Sequence, residues 1–336
     1  MTSHSLRLLL LTSIDYAGLF PPKSLNLKGA ITTYKHHCAG KHHWMLGRFV
    51  VSLEHLSSLS RYLNRYLDRS PAPLLWPLSV VIEPSIQALK ELGRWLRKQN
   101  PFAIAALEFK LTSPEVINAL LPHIPPNIDL FFELPSTQNP DHPPLSAYLD
   151  VLQGTQAAAK VQTGGLTPAH IPSVDALAHF ISTCAKAKVP FKATAGLQHP
   201  LRSIHTLPNG DLAQMHGFLN VALAATVAYG YDASLNDIAA ILRIASAQSI
   251  GFAHQAIVYQ LPPRVASHTA SSSQTPEIYS IPLEVLSQVR SQYFRGIGSC
   301  SVQTPLNELH QLGLLADVNP IAPISIPIPN AYALSS

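Results

Sequence analysis

Charged residues are scarce in this chain of 336 residues. Lys, Arg, Asp and Glu together make up 12% of it, whereas 47% of the residues are hydrophobic. Such a composition excludes a globally disordered protein and predicts a large apolar core. The net charge is only +4 and the basic residues form no long run, so nucleic acid is not an expected partner.

Cysteine is scarce as well. Cys38, Cys184 and Cys300 are an odd number, and no two of them stand in a CxxC pair. This pattern argues against a disulfide framework and fits a reducing compartment. We therefore expect a cytoplasmic protein.

Long apolar runs are missing. The N-terminal run 7–14 is too short for a membrane span, and Asp15 interrupts it where a signal peptide would need small residues. The run 221–227 is short and lies between Gly217 and Gly230, so it predicts a buried helix. The sequence therefore predicts no membrane association.

The chain does contain a regular alternation of short apolar runs with helical patterns. Such alternation predicts a parallel sheet covered by helices, and the number of runs favours a (β/α)8 barrel over residues 1–317 rather than a doubly wound open sheet. Two helical patterns, at 215–229 and 235–247, form an insertion between the last two runs. Residues 318–336 are proline-rich and cannot form a helix, so we expect an extended tail. The predicted strands are 7–14, 47–53, 77–82, 102–109, 128–132, 157–161, 190–195 and 294–301.

Two lysines stand near the ends of neighbouring predicted strands. Lys160 and Lys192 each lie in an apolar run shortly before a glycine turn, which is where barrels present catalytic groups. Two like charges close together lower a lysine pKa, and this would free a nucleophilic amine. The alternative is that the lysines bind an anionic ligand or form salt bridges with Glu108 and Glu133.

Other charged residues also lie at the ends of apolar runs. Glu108 and Glu133 are candidates for proton transfer, and Lys110 is a candidate contact for an anionic substrate. Asp15, at the end of the first run, is either a proton donor or a hydrogen-bonding partner of its loop.

Glycine turns occur at the ends of the last three predicted strands. They contain Gly164 with Gly165, then Gly196, then Gly298 with Ser299. Exposed backbone N–H groups in adjacent turns predict an anion cradle, as barrels often bind phosphate after their last two strands. The alternative is that glycine simply permits tight turns.

Polar side chains after the seventh predicted strand are further candidates. His199 and Arg202 follow that strand directly, and His216 shares one helix face with Asn220. General acid–base chemistry fits His199 or His216, although His216 fits a packing role equally well. Cys300 is either a nucleophile or a small buried residue.

Histidines crowd one segment early in the chain. Adjacent histidines on one segment rarely aim at a single point, and no acidic residue lies close in sequence, so we expect no metal site there. The residues concerned are His36, His37, Cys38, His42 and His43.

The stretches KVQTGG, FKATAGL and FRGIGSCS resemble the last three strands of deoxyribose-phosphate aldolase, a class I aldolase barrel. The resemblance covers about a third of the chain and implies that Lys160 is the Schiff-base lysine, that Lys192 is its activator and that Glu108 is the nearest match to the family's acid. It also implies phosphate contacts from Gly164, Gly196, Gly298 and Ser299. DYAGLFPP, FKATAGL, MHGFLN and GSCS together also resemble a bacterial family to which no function is attached.

These observations favour a class I aldolase-like lyase that acts, without cofactor or metal, on a small phosphorylated or carboxylated carbonyl compound. One alternative is a barrel isomerase or hydrolase in which His199 works with the carboxylates. Another is a non-enzymatic barrel that binds an anion. Assembly into a homo-oligomer stays open.

Overall fold

Residues 2–67, 75–135, 141–261 and 277–315 are described by a computed structural model. Its main feature is a closed barrel of eight parallel strands surrounded by helices. The (β/α)8 architecture predicted from the sequence is confirmed.

The strands in chain order are β1 Ile14–Tyr16, β2 Leu46–Ser52, β3 Trp76–Ile82, β4 Phe102–Phe109, β5 Asp129–Glu133, β6 Ala157–Gln162, β7 Phe191–Thr194, β8 Ser203–Thr206, β9 Leu212–Met215, β10 Ile250–Phe252, β11 Ala256–Leu261, β12 Glu277–Pro282 and β13 Phe294–Ser299. The helices are α1 His4–Leu10, α2 Leu27–Cys38, α3 Leu56–Leu67, α4 Ile86–Leu96, α5 Pro114–Leu120, α6 Leu145–Leu152, α7 Val174–Lys186, α8 Phe218–Tyr231, α9 Leu235–Leu242, α10 Leu283–Gln292 and α11 Gln303–Gln311.

The barrel closes in the order β1-β13-β7-β6-β5-β4-β3-β2. Side chains alternate between the two faces of each strand, so one set packs outward against the helices and the other fills the barrel. The outward set belongs to the large apolar core. Inside the barrel, Ala106, Phe131 and Ala158 form a small separate apolar cluster.

Serine side chains cap the starts of several helices. The side chains of Ser85, Ser113 and Ser173 accept backbone N–H groups at the starts of α4, α5 and α7. Pro114 follows Ser113 in the first turn of α5, where its missing N–H costs no hydrogen bond. These caps fix where the chain turns from the barrel into its outer helices.

The first predicted strand is mostly wrong. Residues 7–10 belong to α1, and β1 is confined to 14–16. Ser3 caps α1, and Leu6, Leu9 and Leu10 are buried at the spacing of one helix face. A short apolar run cannot be told from a buried helix by its hydrophobicity alone.

The insertion between the seventh and eighth barrel strands is only partly helical, which corrects the expectation. Besides α8, α9 and α10 it contains an antiparallel hairpin of β8 and β9 and a three-stranded antiparallel sheet, β10-β11-β12. The predicted tail at 318–336 and the Ser/Thr-rich segment 267–276 lie outside the described residues. In the described part of the chain, every helix falls short of the length and apolarity that crossing a membrane requires.

Candidate active site

Four charged side chains from four strands meet inside the barrel. They are Asp15 on β1, Glu108 on β4, Lys160 on β6 and Lys192 on β7, and all four are buried. The Lys192 ammonium donates to Glu108 Oε1 at 2.7 Å, and Lys160 Nζ lies 3.3 Å from Glu108 Oε2. One carboxylate therefore bridges both lysines, and the contact of Lys160 with Glu108 matches the salt-bridge alternative considered for the lysine pair.

Further carboxylates complete the surroundings of each lysine. Lys192 Nζ lies 2.5 Å from Asp15 Oδ2, and Lys160 Nζ lies 3.1 Å from Glu133 Oε2. The Ser79 hydroxyl donates to Glu108 Oε1 at 2.7 Å. Each lysine is thus held between two carboxylates.

The network continues toward the other end of β5. The Arg48 guanidinium pairs with Asp129 and lies 3.5 Å from Asp15 Oδ2. Asp129 and Glu133 are the first and last residues of β5, so the charged groups extend along the full length of that strand. We call this set the interior charge network: Asp15, Arg48, Ser79, Glu108, Asp129, Glu133, Lys160 and Lys192.

Strand register brings the network together. Glu133 is in register with Lys160, and Lys160 with Lys192, across the parallel strands β5, β6 and β7. Lys192 Nζ also lies 4.9 Å from the centre of the Phe131 ring, a cation–π distance. The two lysines therefore share one compartment, as expected from their positions in the sequence.

The lysine pKa prediction is wrong in its sign. Burial alone would lower the pKa of Lys160, but Glu108 and Glu133 outweigh burial and the pKa is raised. For Glu108, burial would raise the pKa, yet Lys192 and Lys160 lower it. The three carboxylates around the lysines, whose positions the sequence does not give, replace the expected repulsion with four contacts between opposite charges.

The glycine turns have a packing explanation. A Cβ on Gly164 would lie 2.6 Å from the Cα of Gly196, so the turns after β6 and β7 touch each other through their backbones. The Thr163 hydroxyl donates to the carbonyls of Thr194 and Ala195 and holds the contact. Close approach alone thus requires glycine here.

The other predicted anion contacts near these turns also have local partners. A Cβ on Gly165 would meet His170, and one on Gly298 would lie 2.6 Å from Thr194 Oγ1. The Ser299 hydroxyl donates to the carbonyl of Ser301. An anion cradle at these turns stays a prediction.

His199 has a carboxylate partner that the sequence does not reveal. Its Nδ1 lies 2.6 Å from Glu308 Oε1 of α11, and its ring stacks on His205 of β8. Burial, and to a smaller extent the electrostatic effect of His199, lower the pKa of His205. A histidine oriented by a carboxylate has the geometry of a general acid–base group.

His216 and Asn220 tie the insertion together. His216 Nε2 lies 2.8 Å from the carbonyl of Pro172 and Nδ1 lies 3.4 Å from the Arg202 guanidinium. Burial lowers the pKa of His216 to about 4, so the ring is neutral, donates to Pro172 and accepts from Arg202. Asn220 accepts from the Arg202 backbone and donates to two carbonyls of α9 and its end. These contacts give both residues a structural role.

The remaining candidates lie apart from the interior charge network. Lys110 is on the surface, where it pairs with Glu83 at 2.5 Å, so its strand position does not direct it into the barrel. Cys300 is buried, and burial raises the pKa of its thiol. A neutral thiol is a poor nucleophile.

The early histidines do not gather around one point. His36 and His37 lie on α2, while His42 lies on the following loop with its Nε2 3.2 Å from that of His310. Among the described residues, no group of three or more His, Cys, Asp or Glu side chains is arranged to hold a metal ion.

Sequence reasoning missed Arg48, Ser79 and Asp129. A signal was present, because Asp129 and Glu133 share one face of their strand with Phe131 between them. Polar residues two or four positions apart in otherwise apolar strands mark the barrel interior. Which of these polar side chains lie at the same level of the barrel depends on strand register, and the sequence does not give the register.

No family model and no curated protein matches this chain. Among solved structures, a mutant of FabK from Thermotoga maritima is similar at 12% identity, with a TM-score of 0.34, over 93% of this chain and 96% of that chain. A similarity at this score supports no conclusion about function, and the closed strand order establishes the barrel.

Proposed function

We propose that the interior charge network is an active site in which Lys160 forms an imine with a small carbonyl compound. The observation that carries this proposal is the position of Lys160 Nζ, 3.3 Å from Glu108 and 3.1 Å from Glu133 inside the barrel. Barrel interiors are normally filled with branched apolar side chains. Burying charges is costly even when they are paired, so a network of this size favours function over stability.

Imine formation needs Lys160 in its neutral form. Glu133 is 27% exposed in its side chain and can take the ammonium proton and pass it to water. The free amine then attacks the carbonyl carbon, the carbonyl oxygen gains a proton, and loss of water leaves the imine. Amine and carbonyl thus give imine and water, with no oxidant or reductant.

In this proposal Lys192 keeps the expected activating role, but it acts through Glu108 and not by direct repulsion. Lys192 pairs with the same Glu108 carboxylate that contacts Lys160. This pairing weakens the electrostatic attraction between Glu108 and the Lys160 ammonium. Lys192 also remains a fixed positive charge beside the reacting carbon, where it can stabilise negative charge that develops on a carbonyl oxygen.

The substrate we propose is small and carries a phosphate or carboxylate. We propose Arg202 as a contact for that group, because its guanidinium bonds the neutral side chains of Gln214 and His216 and a second cation, Arg243, is close enough to lower its pKa further after burial. A guanidinium whose hydrogen-bond partners are neutral can still form charge-assisted hydrogen bonds with a phosphate or carboxylate. In such a substrate the bond between the α- and β-carbons, one carbon beyond the imine, would be cleaved or formed as in a class I aldolase: the protonated imine accepts the electron pair of that bond as an enamine, and the β-hydroxyl loses its proton to leave as a carbonyl.

Borohydride trapping tests this function. The protein is incubated with glycolaldehyde, glyceraldehyde 3-phosphate or pyruvate, reduced with sodium borohydride, and mapped by peptide mass spectrometry. We expect a reduced adduct at Lys160 that disappears in Lys160→Arg, since arginine keeps the charge but forms no imine under these conditions. Lys186→Arg, at the exposed end of α7, is the matched control and should keep the adduct. No adduct at Lys160 with any probe contradicts the proposal.

A second candidate is acid–base chemistry by His199, favoured by its 2.6 Å contact with Glu308. An isomerase or hydrolase of this kind would need no imine. Activity that survives in Lys160→Arg and is lost in His199→Gln would favour it over the aldolase-like reaction.

A further inference from the structure

Arg48 lies at an irregularity of the barrel. Between β1 and β2, Ile14 pairs with Leu46 while Tyr16 pairs with Phe49. Asp15 therefore faces two residues, Gly47 and Arg48, which is the pattern of a β-bulge. Bulges of this kind re-aim side chains and occur next to active sites.

At the bulge, Arg48 makes two contacts with Asp15. The Arg48 backbone N–H donates to Asp15 Oδ1 at 2.6 Å, and the guanidinium lies 3.5 Å from Asp15 Oδ2. Gly47 makes room for this contact, because a Cβ there would lie 2.3 Å from Asp15 Oδ1. Asp15 Oδ2 in turn accepts from Lys192 at 2.5 Å.

Arg48 is itself fixed from the other side. Its guanidinium pairs with Asp129 and lies 5.8 Å from the centre of the Phe131 ring. Burial alone would lower the pKa of Arg48, but Asp15 and Asp129 raise it. A permanently charged group is therefore held between two carboxylates, one toward the lysines and one toward the start of β5.

We infer that Arg48 is a positioning residue of the proposed active site: it orients Asp15 onto Lys192 and offsets the negative charge that the interior amines experience. Removing Arg48 makes the interior more negative, which holds the proton on Lys160 more tightly. Removing Asp129 has the opposite effect. A role in packing alone would not give effects of opposite sign.

This inference rests on the proposed function, but it is tested by a different measurement, so the two can fail separately. The folded protein is treated with acetic anhydride at pH 8, and the acetylation rate of Lys160 is measured by peptide mass spectrometry relative to that of exposed Lys186. We expect Arg48→Met to slow acetylation of Lys160 by about threefold or more, as loss of a nearby charge in a partly screened interior implies. Asp129→Asn should speed it, and Arg48→Lys, which keeps the charge, should stay close to the unaltered protein.

Arg243→Met is the matched control, because Arg243 forms an exposed ion pair with Asp175 at 2.6 Å that solvent screens. It should leave the rate unchanged. An unchanged rate in Arg48→Met, or a slower rate in every variant of the network, overturns the inference. If Arg48→Met does not fold, Asp129→Asn decides: a rate that does not rise overturns the inference.

Discussion

Glu133 is the residue that links Lys160 to solvent. Its carboxylate lies 3.1 Å from Lys160 Nζ and its side chain is 27% exposed, whereas Glu108 on the other side of Lys160 is buried. Both carboxylates raise the pKa of Lys160. Lys160 is thus held in its ammonium form at neutral pH, and in the proposed mechanism Glu133 is the group that takes its proton.

Glu133→Gln should therefore lower the pKa of Lys160, because one of its two negative partners is removed while the amide keeps the shape of the side chain. The ε-carbon signal of Lys160, followed by NMR as the pH is raised in protein labelled at lysine, should titrate at lower pH than in the unaltered protein. Glu133→Asp is the control, since it keeps the charge. If Lys160 titrates at the same pH in Glu133→Gln as in the unaltered protein, Glu133 does not control the pKa of this amine.

Gly164 carries a second prediction at this scale. Gly164→Ala should destabilise the protein by roughly 2 kcal/mol or more, because the added Cβ would lie 2.6 Å from the Gly196 backbone, which cannot move aside as a flexible side chain can. Urea unfolding measures the change. Gly251→Ala is the control, since a Cβ there meets its neighbours at 3.8 Å or more, and a comparable loss in that variant would contradict the explanation.

At the scale of elements, α8 organises the insertion. Nearly all of its residues are buried, and it packs against α7, α9 and α10. Its one buried amide, Asn220, accepts from the Arg202 backbone and donates to the carbonyls of Ile241 and Ile244. This side chain therefore connects the chain that leaves β7 to the end of α9.

Asn220→Ala should lower the free energy of unfolding by about 3 kcal/mol, because it removes three hydrogen bonds to backbone groups, two of them to buried carbonyls. Chemical denaturation measures the loss. Asn307→Ala is a suitable control, since Asn307 bonds Gln303 on the exposed face of α11. A loss in Asn220→Ala no larger than in the control would contradict the connecting role.

The elements also show which parts of the fold can be read from sequence. Strands β3, β4 and β6 lie within one or two residues of their predicted bounds, because each combines a clear apolar pattern with a turn at its end. The helix α1 was missed because its leucine run has no clear period. The antiparallel sheet of β10, β11 and β12 was missed because β11 pairs with β12 across residues 262–276, although β10 and β11 are near neighbours in sequence.

At the scale of the whole molecule, pH acts on stability through buried groups with shifted pKa values. His216 is fully buried, and burial lowers its pKa to about 4, whereas an unfolded histidine titrates near 6.5. Above pH 6.5 the ring is neutral in both states and contributes no pH dependence. As pH falls from about 6.5 to about 4, the unfolded chain takes up the proton first, and stability is lost.

The expected loss from His216 over that interval is roughly 3 kcal/mol. Urea unfolding at pH 7 and pH 4.5 should show a smaller difference in His216→Asn than in the unaltered protein. His170→Asn, at an exposed histidine of the loop after β6, should keep the full difference. An equal pH dependence in His216→Asn and the unaltered protein would contradict this assignment.

Some residues of the candidate site could be named from the sequence, but Arg48, Ser79, Asp129 and the electrostatics of the site could not. Lys160, Lys192, Glu108, Glu133 and Asp15 each lie in or at the end of an apolar run, and the closed barrel brings them into one network. Their mutual pairing depends on strand register and on which carboxylate lies between which lysines. Those two features set the direction in which the Lys160 pKa shifts, and only the folded structure shows them.

The most direct test of the central claim is a crystal structure of the protein after reaction with glycolaldehyde and sodium cyanoborohydride. The account predicts continuous density from Lys160 Nζ into a reduced two-carbon adduct, with Lys192 still between Asp15 and Glu108. An unmodified Lys160 that still spans Glu108 and Glu133, while lysines elsewhere carry the adduct, would contradict it.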